Sequence, residues 1–248
     1  MTDKPFHENW ITPDWAPHAN VRVRVTTRHG DHSPPPWRGF NLGANCDDDL
    51  RRVEQARHHV HEILGTARAP AWLRQVHGTR IIEAGDQDTD ADGIFTHAPQ
   101  TPCAVLTADC LPVLMARTDG SAVGAFHAGW RGLLDGILEA GVATLAPSGE
   151  NVRAWLGPAI CRKCYQVDAA VRDPFLLRDP GAAAGFTEDG DGRWRMDLFF
   201  LAQQRLAAAG VQAVEGGALC THCHQDAFYS YRHEGQTGRF ASLIWLTN

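Results

Sequence analysis

Apolar and polar positions follow two different periods along the chain, and these periods predict both strands and helices. Residues 20–28, NVRVRVTTR, alternate valine with polar residues, which is typical of a strand with one buried face. Residues 47–65 instead begin with aspartates, place apolar side chains three or four positions apart, and end at Gly65. This second pattern predicts a helix of about four turns.

The middle of the chain is its most apolar part. Three short runs, at 103–108, 112–116 and 122–128, are separated by turn residues and predict strands buried on both faces. Residues 131–146 then show helical spacing and predict a single helix. Further strands are predicted at 71–78, 79–84, 152–158 and 239–246, with a helix at 196–210. Because strands and helices do not alternate regularly, the pattern favours a layered α+β or α/β protein with mixed sheets.

Length, charge and composition narrow the class. The 248 residues contain no linker or repeat, so residues 1–248 are expected to form one domain. There is neither a membrane-length apolar stretch nor an export signal at the N-terminus, which predicts a cytoplasmic protein without a membrane partner. The formal charge of −6 argues against a nucleic-acid partner. The oligomeric state is not encoded in any pattern here, and a monomer is the default expectation.

Seven cysteines, an odd number, argue against a disulfide framework and leave thiols available for metal binding or reaction. Two C-x-x-C pairs occur, Cys161 with Cys164 and Cys220 with Cys223. Known zinc motifs separate such pairs by about 15–20 residues, whereas 55 residues lie between Cys164 and Cys220. The sequence therefore leaves two interpretations of these thiols open, a second metal site or four ordinary thiols.

His77, Cys110 and His127 each lie at or near the end of a short apolar run, and their side chains suit zinc or copper. Three protein ligands leave one coordination position open, as in catalytic zinc sites. The alternatives are a Cys110 nucleophile with His127 as its base, or buried polar residues without chemistry. Asp109 precedes Cys110, and Arg131 lies at the start of the predicted helix 131–146, which suits an anion pocket or a surface ion pair equally well.

Motifs of other enzyme classes are absent from the sequence. There is no phosphate-binding P-loop, serine-hydrolase elbow, H-E-x-x-H or dinucleotide-binding glycine motif. HCH at 222–224 is similar to a fragment of multicopper oxidases, but the further His-x-His pairs of those oxidases are missing.

Taken in order, several segments resemble the YfiH-type family, also called laccase-domain or multicopper polyphenol oxidoreductase-like proteins. The matching segments run from about residue 26 to the C-terminus and include LRQVHGTR, ADG, TADCLPVLMA, GAFHAGWRGLLDGIL, CTHC and FYSYRHEGQTGRFASLIWL. The resemblance implies an α+β fold of layered mixed sheets with outer helices, similar to cysteine hydrolases of the cytotoxic-necrotizing-factor type. It also implies a metal, zinc or else copper, held by His77, Cys110 and His127.

The resemblance implies a purine nucleoside enzyme that cleaves adenosine, inosine and methylthioadenosine with phosphate and also deaminates adenosine. Cys110, His127 and Asp109 are then the candidate catalytic residues, and Arg28, Asn41, Arg131 and Arg232 the candidate substrate-binding residues. Two alternatives remain: a Cys110-dependent amidase that edits peptidoglycan precursors, and a copper-dependent polyphenol oxidase. The chain departs from the family pattern at four positions, Asp31, Cys161, Gln166 and His233.

Overall fold

The mixture of strands and helices is present in the computed structural model of the protein, which describes residues 10–248. The strands are β1 (Trp10–Ile11), β2 (Val21–Thr26), β3 (Ile81–Glu83), β4 (Gly93–Thr96), β5 (Cys103–Thr107), β6 (Leu111–Arg117), β7 (Val123–Ala128), β8 (Val152–Leu156), β9 (Gln166–Asp168), β10 (Phe186–Glu188), β11 (Arg193–Met196), β12 (Ala213–Gly216) and β13 (Phe240–Leu246). The helices are α1 (Leu50–Leu64), α2 (Trp130–Asp135), α3 (Ile137–Leu145), α4 (Ala169–Arg178), α5 (Leu198–Ala208) and α6 (Tyr231–Glu234), and a 3-10 helix spans Pro180–Gly185.

The strands of residues 10–248 form three sheets. Six strands follow the order β12-β8-β6-β7-β4-β3, in which β12 with β8 and β3 with β4 are parallel and the other pairs antiparallel. Four antiparallel strands follow the order β1-β2-β13-β5, and three more the order β10-β11-β9. This is the mixed-sheet α+β architecture that the sequence predicted.

Strands β6 and β7 are covered on both faces, as their apolar sequences predicted. Side chains alternate across a strand, so Leu111, Val113 and Met115 of β6 join the core beneath helices α2, α3 and α5. Leu114 and Ala116 face the other way and pack between the six-stranded and four-stranded sheets. Two separate apolar cores therefore hold the central strands, and the start of β6 and the end of β7 meet at the edge where Cys110 and His127 lie.

Helix ends follow local sequence signals. The Asp49 side chain accepts a hydrogen bond from the backbone of Arg51 at the start of α1, and Gly65 ends the helix in the left-handed conformation. The single helix predicted over 131–146 is wrong, because the chain forms two helices there. Gly136, with φ of 105°, ends α2 and begins α3. A glycine readily adopts this conformation. Because the apolar spacing continues across Gly136, the hydrophobic pattern alone gives no sign of the break.

The strand predicted over 71–78 is also wrong. Ala71 makes a single bridge to Cys103, and the following residues run as irregular backbone to His77. The three-stranded sheet was not predicted, because its short strands are only partly buried and carry no clear alternation. Across residues 10–248, no helix has both the length and the apolar character needed to cross a membrane.

Candidate metal centre and cavity

Three separate parts of the fold bring His77, Cys110 and His127 together. His77 lies in the irregular segment before β3, Cys110 in the turn between β5 and β6, and His127 near the end of β7. One donor atom from each lies within 4.8 Å of the other two, and the Cys110 Sγ to His77 Nε2 distance is 3.9 Å. The His77 and His127 rings meet edge to face at 4.8 Å.

A buried carboxylate orients both histidines. Asp92 Oδ1 lies 2.7 Å from His127 Nδ1 and accepts a hydrogen bond of 2.9 Å from the backbone N–H of His77. The second carboxylate oxygen accepts from the backbone N–H groups of Val76 and Gly78. His127 Nδ1 therefore faces Asp92 and its Nε2 remains for a metal, the usual arrangement around zinc-bound histidine. Asp92 lies in the ADG segment, and sequence reasoning assigned no role to it.

Small residues leave room around the three donors. A Cβ atom placed on Gly129 would lie 3.0 Å from His77 Cδ2 and 3.1 Å from Cys110 Sγ. On Gly132 it would lie 2.9 Å from the backbone oxygen of Gly78. The GWRG segment thus lets the start of α2 approach the donors closely. Two imidazoles and one thiol beside an oriented carboxylate are a donor set that fits zinc or copper.

Electrostatics favour a charged pair between Cys110 and His127. Burial raises the pKa of Cys110, but the charge of His127 and hydrogen bonds from both histidines outweigh it and bring the pKa to about 6. Burial likewise lowers the pKa of His127, while Cys110 and Asp92 raise it to about 9. The Cys110 thiol is therefore prepared for deprotonation, either to bind a metal or to act as a nucleophile.

Asp109, the neighbour of Cys110, joins two more distant segments. Its Oδ1 accepts a hydrogen bond of 2.6 Å from Thr221 Oγ1, and its Oδ2 accepts one of 2.7 Å from the backbone N–H of Arg232. Asp109 is nearly buried, and its φ of 97° turns the chain sharply before Cys110. The structure thus gives Asp109 two positioning contacts, and its catalytic role stays a prediction.

The three donors lie at a cavity of about 580 Å³, a size typical of small-molecule sites. Arginines dominate the charge of its wall, which contains Arg57, Arg74, Arg131, Arg232 and Arg239 against one carboxylate, that of Asp109. Arg74 pairs with Asp90, whereas the other four arginines form no ion pair within residues 10–248. A chain with a net negative charge thus presents a positive cavity, which suits an anionic ligand.

Aromatic rings line the same cavity. They are Trp72, Trp130, Tyr165 and Tyr231. The guanidinium of Arg57 lies 4.8 Å from the Trp72 ring, that of Arg131 4.3 Å from Trp130, and that of Arg232 5.1 Å from Tyr165. Apart from Arg131 and Arg232, sequence reasoning missed these residues. For Arg57 the sequence carried one signal of a role at the cavity: this charged residue directly follows Ala56, a buried position of α1.

Two residues predicted to bind substrate lie outside the cavity wall. Arg28 forms an ion pair of 2.9 Å with Glu234 and lies over the Tyr229 ring. Asn41 is fully buried, donates a hydrogen bond to Asp48 and accepts one from the backbone of Arg239. The structure thus brings Arg131 and Arg232 to the cavity and gives Arg28 and Asn41 contacts elsewhere. Their role in substrate binding stays a prediction.

The departures from the family pattern have distinct surroundings. The Gln166 side chain donates a hydrogen bond of 2.6 Å to Asp189, a contact that an ionised glutamate could not make. The His233 ring packs edge to face on His222. Cys161 belongs to a second cluster of donors, with Cys164, Cys220 and Cys223. Asp31 is exposed.

Comparisons with known proteins show the family of the chain. Residues 22–247 match the family described as multi-copper polyphenol oxidoreductase laccase. A purine nucleoside phosphorylase of Pseudomonas aeruginosa is 45% identical over 239 residues, covering 96% of this chain and 98% of the relative. The purine nucleoside phosphorylase YfiH of Escherichia coli is 42% identical over 239 residues, covering 95% and 98%.

Solved structures have the same fold. A Neisseria meningitidis protein superposes with a TM-score of 0.92 at 40% identity, over 97% of this chain and 100% of that one. YlmD of Geobacillus stearothermophilus superposes with a TM-score of 0.87 at 30% identity, over 99% and 98%. The likeness to cysteine hydrolases of the cytotoxic-necrotizing-factor type stays a prediction. The chain belongs to the YfiH-type family of laccase-domain proteins, as its QVHG, TADC and HAGWRG segments indicated.

Proposed function

We propose that the protein is a metal-dependent purine nucleoside phosphorylase acting on adenosine, inosine and methylthioadenosine. One observation carries the proposal: the three-donor centre lies at a cavity that contains four arginines without carboxylate partners. Phosphorolysis needs a phosphate anion and a nucleoside side by side, and the cavity is large enough for both. The relatives named purine nucleoside phosphorylase support this assignment.

The metal assigned to the centre is zinc, with copper as the other ion that the donors suit. His77, Cys110 and His127 would hold it, and it would supply a Lewis acid at the cavity wall. Asp92 keeps the tautomer and ring orientation of His127. Because Cys110 and His127 favour a charged pair, metal binding would release the proton on His127 Nε2 to solvent and leave Cys110 as a thiolate ligand.

The cavity wall supplies the remaining roles. Arg57, Arg131 and Arg239 are the groups proposed to bind phosphate, because planar guanidinium groups form paired hydrogen bonds with its oxygens. The rings of Trp72 and Tyr165 offer flat surfaces for the purine. In the reaction, a phosphate oxygen forms a bond to the ribose C1′ as the bond to the purine breaks, and the purine nitrogen takes up a proton.

Adenosine deamination at the same centre is part of the proposal. Water replaces the amino group of the purine, and ammonia leaves. We assign Asp109 a positioning role. Its contacts with Thr221 and with the backbone of Arg232 would hold the turn that carries Cys110 against the N-terminus of α6.

Product analysis of the purified, metal-assayed protein tests the proposal. Inosine should yield hypoxanthine and ribose 1-phosphate with phosphate and no hypoxanthine without it, and adenosine should release ammonia. His77→Ala should abolish both reactions, whereas His58→Ala, an exposed histidine of α1, should leave them unchanged. Absence of nucleoside turnover in protein with a full complement of metal would contradict the proposal.

A second candidate function rests on a different observation. Cys110, His127 and Asp92 form a thiol–imidazole–carboxylate series, with the thiol pKa near 6, as in cysteine hydrolases. The Cys110 thiolate would attack an amide carbon, and His127 would give a proton to the leaving amine. Water would then cleave the resulting thioester, releasing the carboxylic acid and restoring the Cys110 thiolate and the His127 proton. Hydrolysis of peptidoglycan-derived amides that survives complete metal removal would favour this candidate.

Copper-dependent polyphenol oxidation ranks third, although the family description names it. Reduction of oxygen to water by laccases uses several coppers. Among residues 10–248 the three-donor centre is the one mixed histidine–cysteine cluster. A cytoplasmic location is proposed because all seven cysteines are free thiols, which suits a reducing compartment. A monomer without nucleic-acid or membrane partners completes the proposal.

A further inference from the structure

Four cysteines outside the proposed catalytic centre converge on one point. The sulfur atoms of Cys161, Cys164, Cys220 and Cys223 all lie within 4.8 Å of one another. The Cys161–Cys164 sulfur distance is 3.7 Å, and the Cys164–Cys223 distance is 3.5 Å. All four are free thiols, and none of them lines the cavity. The proposed nucleoside chemistry makes no use of them.

The spacing of these sulfurs fits a single tetrahedral ion. With zinc–sulfur bonds of about 2.3 Å, tetrahedral geometry places neighbouring sulfurs about 3.8 Å apart. The Cys161–Cys164 and Cys164–Cys223 sulfur distances lie within a few tenths of an ångström of that value. A disulfide would instead need one pair at about 2.0 Å. The backbone N–H of Cys161 also points to Cys220 Sγ at 3.3 Å, a contact that favours the thiolate.

The sheet explains how two distant C-x-x-C pairs meet. Strands β8 and β12 are parallel, with Leu156 opposite Gly216, so both leave the sheet at the same edge. The segments that follow continue side by side and form a bridge between Ala159 and Cys220. Cys161 lies two residues beyond that bridge. Strand pairing thus replaces the short loop that usually joins the two halves of a zinc site.

We infer that Cys161, Cys164, Cys220 and Cys223 form a second metal site, a closed four-thiolate site that takes zinc and has a structural role. Zinc binding releases the thiol protons to solvent and leaves no coordination position for a substrate. Four soft sulfur ligands select zinc over magnesium, calcium or manganese.

The site ties together two segments that support the cavity. Tyr165 follows Cys164 directly and lines the cavity, and Thr221 follows Cys220 and donates to Asp109. Arg232 lies over the Tyr165 ring and donates to the backbone oxygen of Gln166 at 2.8 Å. The second metal would therefore keep Tyr165 and Arg232 in position without contacting the substrate itself.

Metal titration tests the inference without any activity assay. Protein stripped of metal under reducing conditions is titrated with Zn²⁺ against a chromophoric chelator. We expect two equivalents for the natural chain, one for Cys223→Ser and one for His77→Ala/Cys110→Ser. Cys46→Ser, in a thiol outside both clusters, should still bind two. Because Cys223 is exposed, its substitution leaves the apolar cores intact.

Cobalt adds a readout of ligand type. With Co²⁺, the thiolate charge-transfer absorption should stay intense in His77→Ala/Cys110→Ser, which keeps four thiolates, and should fall strongly in Cys223→Ser. A single equivalent of Zn²⁺ in the natural chain, unchanged by Cys223→Ser, would overturn the inference. So would two missing thiols in freshly purified, denatured protein, because they would reveal a disulfide. The zinc stoichiometry and the cobalt spectra test the second metal site independently of nucleoside turnover.

Discussion

The two donor clusters of this fold differ in what surrounds them. His77, Cys110 and His127 offer mixed donors beside a cavity with unpaired arginines, whereas the four-cysteine cluster offers sulfur alone and does not border that cavity. Catalytic metal sites keep a position open, and structural sites close it with protein ligands. The number of protein ligands and the neighbouring space, taken together, therefore separate a candidate catalytic metal site from a candidate structural one.

Removal of the thiol from the three-donor centre should have the largest effect. We expect Cys110→Ser to lower phosphorolysis of inosine below detection, because it removes the soft ligand of the metal. Its melting temperature should change little, since Cys110 is only half-buried and faces the cavity. The corresponding change in the other cluster, Cys223→Ser, should leave most of the activity. Equal loss of activity in both variants would contradict the assignment of a catalytic role to one cluster and a structural role to the other.

Substitution of Asp92 tests whether metal affinity and activity depend on the orientation of the histidines as well as on the ligands themselves. We expect Asp92→Asn to lower metal affinity and activity by about 10–100-fold, the usual cost of removing such a partner. The carboxylate accepts from His127 and from three backbone N–H groups, and an amide cannot accept them all. Restoration of activity by excess Zn²⁺ would identify weakened metal binding as the cause. Full activity without added metal would show that His127 is oriented by other contacts.

The four-cysteine cluster should matter for stability instead. We expect Cys220→Ser to lower the melting temperature by about 5–10 °C. Loss of a structural ion lowers the free energy of unfolding by a few kcal/mol, and each kcal/mol lost lowers the melting temperature by about 2–4 °C in a chain of this size. Cys46→Ser provides the matched control. Thermal unfolding with and without a chelator checks the result, because the chelator should destabilise the natural chain more than Cys220→Ser, which has already lost the ion of the four-cysteine cluster.

Arg131 addresses the anion that the open cluster is proposed to serve. We expect Arg131→Ala to raise the KM for phosphate by about tenfold, the equivalent of about 1.4 kcal/mol for a charge-assisted hydrogen bond. Arg193→Ala removes an exposed arginine of β11 and should leave that KM unchanged. Initial rates at varied phosphate and saturating inosine measure both. An unchanged KM in Arg131→Ala would assign phosphate binding to the other arginines.

Sequence patterns predicted the central strands and the three-donor centre better than the cavity wall. Strands β6 and β7 follow from apolar runs that need cover on both faces. The QVHG, TADC and HAGWRG segments pointed to the three metal-binding donors, His77, Cys110 and His127. The four-cysteine cluster was left open because its halves meet through parallel strand pairing, which local spacing does not encode. Arg57 and Arg239 were missed for the same reason: a lone arginine carries no signal until the fold places it beside a cavity.

Arg28 gives the smallest expected effect and separates ligand binding from support of α6. Burial raises the pKa of Glu234, but Thr237 and Arg28 lower it below the ordinary 4.5. A lowered carboxyl pKa stabilises the fold above pH 4.5, and this contribution is lost as pH falls through the folded-state pKa. Glu234→Gln should therefore cost about 1 kcal/mol near pH 7, and the difference from the natural chain should shrink at acid pH. Melting temperatures across a pH series measure it. If Arg28 acts only through Glu234, the KM for phosphate should stay constant in Glu234→Gln, whereas a raised KM would favour the predicted role of Arg28 in substrate binding.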